Sequence, residues 1–272
     1  MAMIANARMY SIDPQSTRAW RVLLEWVVAR ASLPYDVIDY PAPQRLSALW
    51  ARDDLGAVFM CGLPYSLLTP HAGLAIVAAP IPSPPRYAGL PRYMTDIVVR
   101  ADAAYISIED TFGSVVGYTV RDSQSGYFAL RHFLAPYRAA RGGSLYRQVV
   151  GELINARGVI DALVDGRIDV GPLDSYCHDL LKRNQPDYAR QVRTIAATDP
   201  TPIPVFVARF GAGDATGDLM RLRNAFDAAG TAAELATIRD TLALAGFAHP
   251  DPGEYAVLRS RHDALIAATE VW

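Results

Sequence analysis

The chain has 272 residues, of which 51% are hydrophobic and 20% are charged, and its net charge is −2. This length and composition favour one large globular domain or two smaller ones with a substantial core. The charge excludes the broad basic surface that would bind nucleic acid or an anionic membrane.

The apolar segments are too short to cross a membrane, because none reaches the roughly 18 residues that a transmembrane helix needs. The opening residues "MAMIANARMYSIDP" lack the charged and long apolar regions of a signal peptide. On this criterion a cytoplasmic location stays open. Cys61 and Cys177 are far apart in sequence, and we favour two buried thiols over a disulfide.

The first part of the chain alternates strands and helices. Predicted strands cover 3–10, 35–40, 56–62 and 74–80, and helices cover 14–30 and 43–53. The first helix has a predicted N-cap at Asp13, followed by Pro14. Strands separated by helices indicate a mostly parallel sheet in an α/β fold.

A second alternating block follows the proline-rich loop "PIPSPPRYAGLPRY". Its predicted strands cover 95–102, 114–120, 167–173 and 192–198, and its helices start near 123, 157 and 175. We expect the helix that starts near Ser123 to end by Pro136. From about residue 212 onwards the pattern predicts three amphipathic helices, with breaks at Gly230 and near 246–253.

Two extended segments, near 95–100 and 203–208, bracket the central block. We interpret them as strands that cross between two α/β lobes, the second inserted into the first. Lobe 1 would comprise 1–97 and 205–272, and lobe 2 would comprise 98–204. Such a topology suits hinge closure, although a single doubly wound domain would also explain the alternation.

The stretch "VRDSQSGYFALRHFLAP" places small polar residues between a strand and a helix. With Ser123 as N-cap, the following backbone N–H groups have no partner within the helix. They lie at the carboxyl end of a strand, where open α/β sheets bind ligands. We therefore predict an anion site at Ser123, Gln124, Ser125 and Gly126, with Tyr127 next to it. The alternative is an ordinary capped helix.

Further candidate residues follow other predicted strands or precede helices. Asp174 follows the strand "RIDVGPL", while Asn155 and Arg157 lie at the start of the preceding helix and face the same sheet edge. These residues could equally be a plain N-cap and a solvated arginine.

In the first lobe, a Gly62–Pro64 turn brings Tyr65 to a strand end, and Tyr10 lies in a similar position. Such a tyrosine could close over a ligand or be simply half-buried.

No nucleophile, phosphate-loop or dinucleotide motif is present, and no Cys/His cluster has metal-ligand spacing. We therefore predict no catalytic residues, no metal and no cofactor.

Four segments together resemble the phosphate/phosphonate-type substrate-binding proteins of ABC transporters, which are type II periplasmic binding proteins. They are "YMTDIVVRAD", "SVVGYTV" with "DSQSGY", "VIDALVDGRIDVGPLD" and "TPIPVFVAR". The resemblance spans about residues 56–225.

The resemblance implies a two-lobed, non-enzymatic protein that captures a small anionic or zwitterionic ligand between its lobes. It implies that the turn 123–126 holds the anionic group, that Asp174 and Tyr65 contribute to the site, and that a permease is the partner. It also implies a periplasmic location, and we expect a monomer. Relatives often carry a histidine just before the helix that leads to "DGRIDV", and residues 152–157 contain none. Ligand identity therefore stays open within this class.

Two alternatives use the same architecture. One is a cytosolic enzyme of the thiamine-pyrimidine-synthase type, although such enzymes use a cysteine-rich motif. The other is a stand-alone ligand sensor.

Overall fold

The computed structural model describes residues 2–68, 73–209, 215–268 and 272. The chain divides into two compact units. Unit 1 comprises Met1–Arg92 and Pro202–Tyr255, and unit 2 comprises Tyr93–Thr201 and Ala256–Trp272.

Unit 1 is built on a six-stranded sheet. Its strands are β1 (Ile4–Asn6), β2 (Asp36–Val37), β3 (Leu55–Met60), β4 (Leu74–Pro82), β12 (Val205–Arg209) and β13 (Leu244–Ala248), in the order β13-β4-β12-β3-β1-β2. Its helices are α1 (Pro14–Ala31), α2 (Leu46–Trp50), α3 (Gly62–Leu67), α8 (Ala215–Thr231) and α9 (Ala236–Thr241).

The core of unit 1 is aromatic. Phe59 of β3 and Phe206 of β12 stack with ring centroids 3.7 Å apart. Trp20 of α1 meets Phe59 edge-on at 5.1 Å. The carboxylate of Asp13 caps α1 by accepting hydrogen bonds from the N–H groups of Gln15 and Ser16, so the predicted start of this helix is confirmed.

Unit 2 is built on a five-stranded sheet. Its strands are β6 (Thr95–Arg100), β7 (Val115–Gly117), β8 (Gln148–Val150), β9 (Val170–Asp174) and β10 (Val192–Ala197), in the order β10-β6-β9-β7-β8. Its helices are α4 (Ala129–Arg141), α5 (Ala156–Val164), α6 (Ser175–Asn184), α7 (Pro186–Ala189) and α10 (Ala256–Ala267).

Where the chain passes between the units, two short strands pair as a separate sheet. They are β5 (Arg92–Tyr93) and β11 (Thr201–Pro202). The segments that the sequence suggested for this role lie nearby, but β6 belongs to the sheet of unit 2 and β12 to that of unit 1.

Both sheets are mixed, so the expectation of mostly parallel sheets is wrong. β1 pairs in parallel with β2 and β3, whereas β12 runs antiparallel between β3 and β4. In unit 2, β7 is parallel to β8 and β9, whereas β6 is antiparallel to β9 and β10. The physical reason is that β12 and β6 enter their sheets directly after the chain changes unit, without a crossover helix that would restore a parallel direction.

The C-terminal region also differs from its prediction. Residues 244 and 245, which were predicted to end the second of the three C-terminal helices, instead begin the edge strand β13, which extends into the predicted break near 246–253 and pairs antiparallel with β4. α8 ends at Thr231, one residue after Gly230, so the predicted break at Gly230 is confirmed. α10 and Trp272 group with unit 2, because Phe128 contacts His262 and the Leu145 N–H donates to the carbonyl of Trp272 at 2.7 Å.

Two further sequence predictions can be compared directly with the structure. Both cysteines are buried and neither forms a disulfide, as expected. Among the helices of the described residues, none is long and apolar enough to cross a membrane.

Candidate functional site

The predicted anion-binding stretch forms a π-helical turn, Gln124–Phe128, which leads into α4. Ser123 is its N-cap, and the Ser123 hydroxyl accepts a hydrogen bond from the Gly126 N–H at 2.9 Å. The first main-chain bond runs from the Phe128 N–H to the Ser123 carbonyl at 3.1 Å. We call residues 123–126 the binding turn.

The π geometry leaves two donors open in the binding turn. In a π-helix each N–H group donates to the carbonyl five residues earlier, whereas in an α-helix it donates to the carbonyl four residues earlier. One more N–H group at the start of the helix therefore has no partner within it. Among the described residues, the N–H groups of Gln124 and Ser125 have no acceptor. These are adjacent main-chain donors at the positive end of a helix, which is the arrangement that holds an anion.

Gly126 allows the turn to pack closely on the end of strand β7. The Thr119 N–H donates to the Gly126 carbonyl at 3.1 Å. A Cβ atom at position 126 would lie 1.8 Å from the Thr119 hydroxyl oxygen. That hydroxyl is buried and has no hydrogen-bond partner among the described residues.

The binding turn and Asp174, two separate predictions from the sequence, lie side by side. The Ser125 hydroxyl is 3.5 Å from one carboxylate oxygen of Asp174. The other oxygen accepts hydrogen bonds from the N–H groups of Tyr176 and Cys177 and so caps α6. Asp174 is therefore both an N-cap and a neighbour of the turn.

The sequence reasoning missed Thr95. Its buried hydroxyl donates to the Ser125 carbonyl at 3.1 Å, and this hydrogen bond holds the binding turn against strand β6. Thr95 faces Asp174 across the antiparallel β6–β9 pair. We expected a mostly parallel sheet, in which Thr95 at the start of one strand and Asp174 at the end of another would lie far apart. Their proximity could be predicted only from the antiparallel direction of the two strands, which the sequence pattern does not indicate.

Asn155 and Arg157 are occupied by structural contacts. The Asn155 side chain caps α5 by accepting the Gly158 N–H at 3.1 Å. The Arg157 guanidinium donates to the Gln185 side chain at 2.5 Å and lies over the Tyr188 ring at 4.2 Å. These contacts tie α5 to the α6–α7 region, and a ligand contact of Asn155 or Arg157 stays a prediction.

Tyr127 belongs to an aromatic cluster in unit 2. Its ring is buried and meets Tyr118 at 5.0 Å and Trp272 at 5.2 Å, both edge-on. The Arg131 guanidinium lies 5.3 Å from the same ring. Tyr127 therefore supports the turn through packing.

The candidates in unit 1 differ from one another. Tyr10 has no exposed surface and packs edge-on against Phe59 at 5.1 Å, so its ring is part of the core. Gly62 is buried and begins α3. Tyr65 is half-buried and contacts Tyr255 at 5.4 Å, and burial raises the pKa of its hydroxyl. Of the three, Tyr65 is the residue whose side chain is partly accessible.

Residues 11–255 match the family described as ABC transporter, phosphonate, periplasmic substrate-binding protein. This chain belongs to that family. The resemblance seen in the sequence is thereby confirmed, and the family's members are transport proteins rather than enzymes. The family association implies a small ligand, a transporter partner and a periplasmic setting. No curated protein matches the chain by sequence.

Solved structures show the same two-lobed mixed α/β fold. A binding protein component of an ABC phosphonate transporter from Pseudomonas aeruginosa has a TM-score of 0.79 and 16% identity, with 100% of this chain and 91% of that chain covered. PhnD1 from Prochlorococcus marinus, in complex with methylphosphonate, has a TM-score of 0.79 and 14% identity, with 98% and 99% covered.

A third structure has the same fold with a different ligand. XAC2383 from Xanthomonas citri, bound to ATP, has a TM-score of 0.67 and 19% identity, with 99% of each chain covered. At these identities the likeness establishes the fold of this chain. Its ligand has to be inferred from the chemistry of its own residues.

Proposed function

We propose that this substrate-binding protein captures its ligand by an oxyanion group, phosphonate or phosphate in type, at the binding turn. The observation that carries the proposal is the pair of open N–H donors at Gln124 and Ser125. The helix dipole adds roughly 0.3–1 kcal/mol for an exposed anion and up to about 2 when it is partly buried. Charge-assisted hydrogen bonds contribute about 1.5–3 kcal/mol each.

Asp174 restricts the charge state of the ligand. Its carboxylate lies 3.5 Å from the Ser125 hydroxyl, so a fully ionised oxyanion would be repelled. An oxyanion that keeps one proton, or a ligand that also carries an amine, would donate a hydrogen bond to Asp174. The turn and Asp174 together therefore favour a monoprotonated or zwitterionic phosphonate over a dianion.

The remaining parts of this function stay predictions. Capture between both units with hinge closure, contact of the ligand with Tyr65, delivery to a permease and a monomeric state rest on the family resemblance. A periplasmic location of this chain rests on the same ground. The alternatives of an enzyme or a stand-alone sensor gain no supporting observation from the described residues.

Replacing Ser125 by Asp tests the assignment of the turn. The new carboxylate would lie where the anion binds, and we expect affinity for methylphosphonate and inorganic phosphate to fall at least about 100-fold, or about 2.8 kcal/mol. Isothermal titration calorimetry measures this change. Ser144→Asp is the matched control, because Ser144 is an exposed residue of the same unit and the charge change is identical.

The outcome is clear in either direction. If wild-type protein and Ser144→Asp bind one of the two probes and Ser125→Asp does not, while its thermal unfolding is preserved, the turn is the site. Equal affinity of all three proteins would show that the oxyanion binds elsewhere.

A further inference from the structure

His249 joins three elements at the edge of the unit 1 sheet. It follows directly after the edge strand β13. Its Nδ1 lies 2.8 Å from the Val77 carbonyl oxygen of β4, and its Nε2 lies 2.8 Å from a carboxylate oxygen of Asp227 on α8. We call His249, Val77 and Asp227 the edge clamp.

Both ring nitrogens in the edge clamp face hydrogen-bond acceptors. A carbonyl oxygen and a carboxylate oxygen accept hydrogen bonds and do not donate them. A neutral imidazole has one N–H group and can satisfy only one of the two acceptors, whereas an imidazolium has two N–H groups and satisfies both. The geometry at His249 is therefore that of an imidazolium.

The pairing of β13 with β4 has an incomplete set of main-chain hydrogen bonds. In the antiparallel register, Pro82 and Pro80 of β4 lie opposite Leu244 and Phe247 of β13. Proline has no N–H group, so these two residues donate no hydrogen bond to the edge strand. The side-chain hydrogen bond from His249 to β4 therefore supports a strand that is held weakly by its own backbone.

Several charged side chains lie on the elements around His249. They are Arg223 and Asp227 on the C-terminal half of α8, Arg239 and Asp240 on α9, and Asp251 and Glu254 on the segment that follows His249, whereas β4 and β13 contain none. The two arginines donate to main-chain carbonyls, Arg223 to Ile76 at 2.8 Å and Arg239 to Ala229 at 2.9 Å. Asp227 is the charged group that is bonded to the ring.

We propose that the edge clamp is a pH-sensitive device, which holds β13 to β4 and α8 while His249 is protonated and loosens when His249 loses a proton. Loss of one proton leaves a bare ring nitrogen facing an acceptor, so one hydrogen bond of the clamp is lost and its acceptor repels the nitrogen lone pair. The expected consequence is local opening of the edge strand while the rest of the sheet stays folded. This inference does not depend on the proposed function.

Nitrogen NMR of protein labelled with ¹⁵N-histidine tests the protonation state. At pH 7, where an exposed histidine is mostly neutral, the two ring nitrogens of His249 are expected to have the similar chemical shifts of an imidazolium. His249→Gln identifies the signal, which disappears in that variant. Two widely separated nitrogen shifts, as in a neutral ring, would overturn the proposal.

Hydrogen exchange measured by mass spectrometry tests the release of β13. After correction for the intrinsic exchange rate, the protection of amides 244–248 is expected to fall about tenfold between pH 6 and pH 9 in the wild type. Asp227→Asn is the deciding variant. In it a neutral His249 can donate from Nδ1 to Val77 and accept at Nε2 from the new side-chain amide, so protection should stay nearly constant over this range.

The control and the variants separate the possible results. His132→Gln removes an exposed histidine of unit 2 and should keep the wild-type response, whereas His249→Gln should lose it. An equal fall in protection in the wild type and in Asp227→Asn would reject the proposal, as would a wild-type protection that does not change with pH. If His249→Gln fails to fold, the comparison of the wild type with Asp227→Asn decides the matter.

Discussion

Gly126 is the residue on which the shape of the binding turn depends most directly. Its backbone packs so closely on Thr119 that a Cβ atom would lie 1.8 Å from the hydroxyl oxygen and 2.8 Å from the Cβ of Thr119. Both contacts are far below van der Waals distance. Any side chain at position 126 must therefore push the turn away from Thr119, which lies two residues after strand β7.

Gly126→Ala is expected to cost about 1–3 kcal/mol in the free energy of unfolding, because overpacking a tight contact displaces the backbone. It should also weaken binding, since the open donors move with the turn. Urea denaturation and calorimetry measure the two effects. Thr119→Ala combined with Gly126→Ala should recover part of the loss, and a double variant as unstable as the single one would contradict the explanation.

Tyr146 makes the stability of unit 2 sensitive to alkaline pH. Burial raises the pKa of Tyr146 to about 12, and its hydroxyl forms a 3.0 Å hydrogen bond with Thr111. The folded protein keeps this proton up to about pH 12, whereas the unfolded chain loses it near pH 10. Ionisation therefore favours the unfolded state between these two values, and stability falls as pH rises.

Tyr146→Phe removes this contribution. We expect the free energy of unfolding of the variant to fall less steeply than that of the wild type from pH 10 to pH 12. Urea denaturation at several pH values measures the slopes. Parallel slopes would show that Tyr146 does not ionise on unfolding in this range. Other buried tyrosines, such as Tyr176, contribute equally to both proteins.

At the level of elements, the helix behind the turn continues past its expected end. α4 runs to Arg141 with Pro136 inside it, and Gly142 ends it in the left-handed conformation. Proline donates no hydrogen bond, so the carbonyl of His132 lacks its helical partner. The helix persists because its buried face, which includes Leu130 and Leu134, is held by the core of unit 2.

Pro136→Ala restores the missing N–H group and is expected to raise the free energy of unfolding by about 1–3 kcal/mol. Urea denaturation measures the gain. Pro186→Ala is the control, because Pro186 is the first residue of α7, where proline is favourable. A gain at position 186 as large as at 136 would contradict this account of α4.

At the scale of the whole molecule, each unit contains one buried thiol that can report on its opening. Cys61 lies in unit 1 and Cys177 in unit 2. The N–H of Cys177 is bound by Asp174, next to the binding turn. Local opening exposes such groups to reagents at a rate that depends on the free energy of opening.

The family resemblance predicts that the ligand engages both units. A ligand present at 100 times its Kd should then slow thiol labelling about 100-fold at both cysteines. Single-cysteine variants Cys61→Ala and Cys177→Ala allow the two rates to be measured separately by mass spectrometry. Protection of Cys177 alone would limit binding to unit 2, and protection of neither would argue against the proposed site.

The sequence alone determined the local features, because they depend on neighbouring residues. The Asp13 cap, the Ser123 cap, the Asp174 cap and the position of most strands follow from short patterns, and the family resemblance followed from four such segments. The binding turn was predictable as a row of open N–H groups for the same reason.

Only the tertiary structure decided which distant segments meet. Strand direction is not encoded in local periodicity, so the antiparallel pairing that brings Thr95 opposite Asp174 was not visible in the sequence. The contacts of Arg157 with Gln185 and Tyr188 were not visible in the sequence either. Nor was the packing of Trp272 on Tyr118 and Tyr127. Contacts between residues far apart in the chain depend on how whole elements pack, and that packing follows from the burial of their apolar faces together.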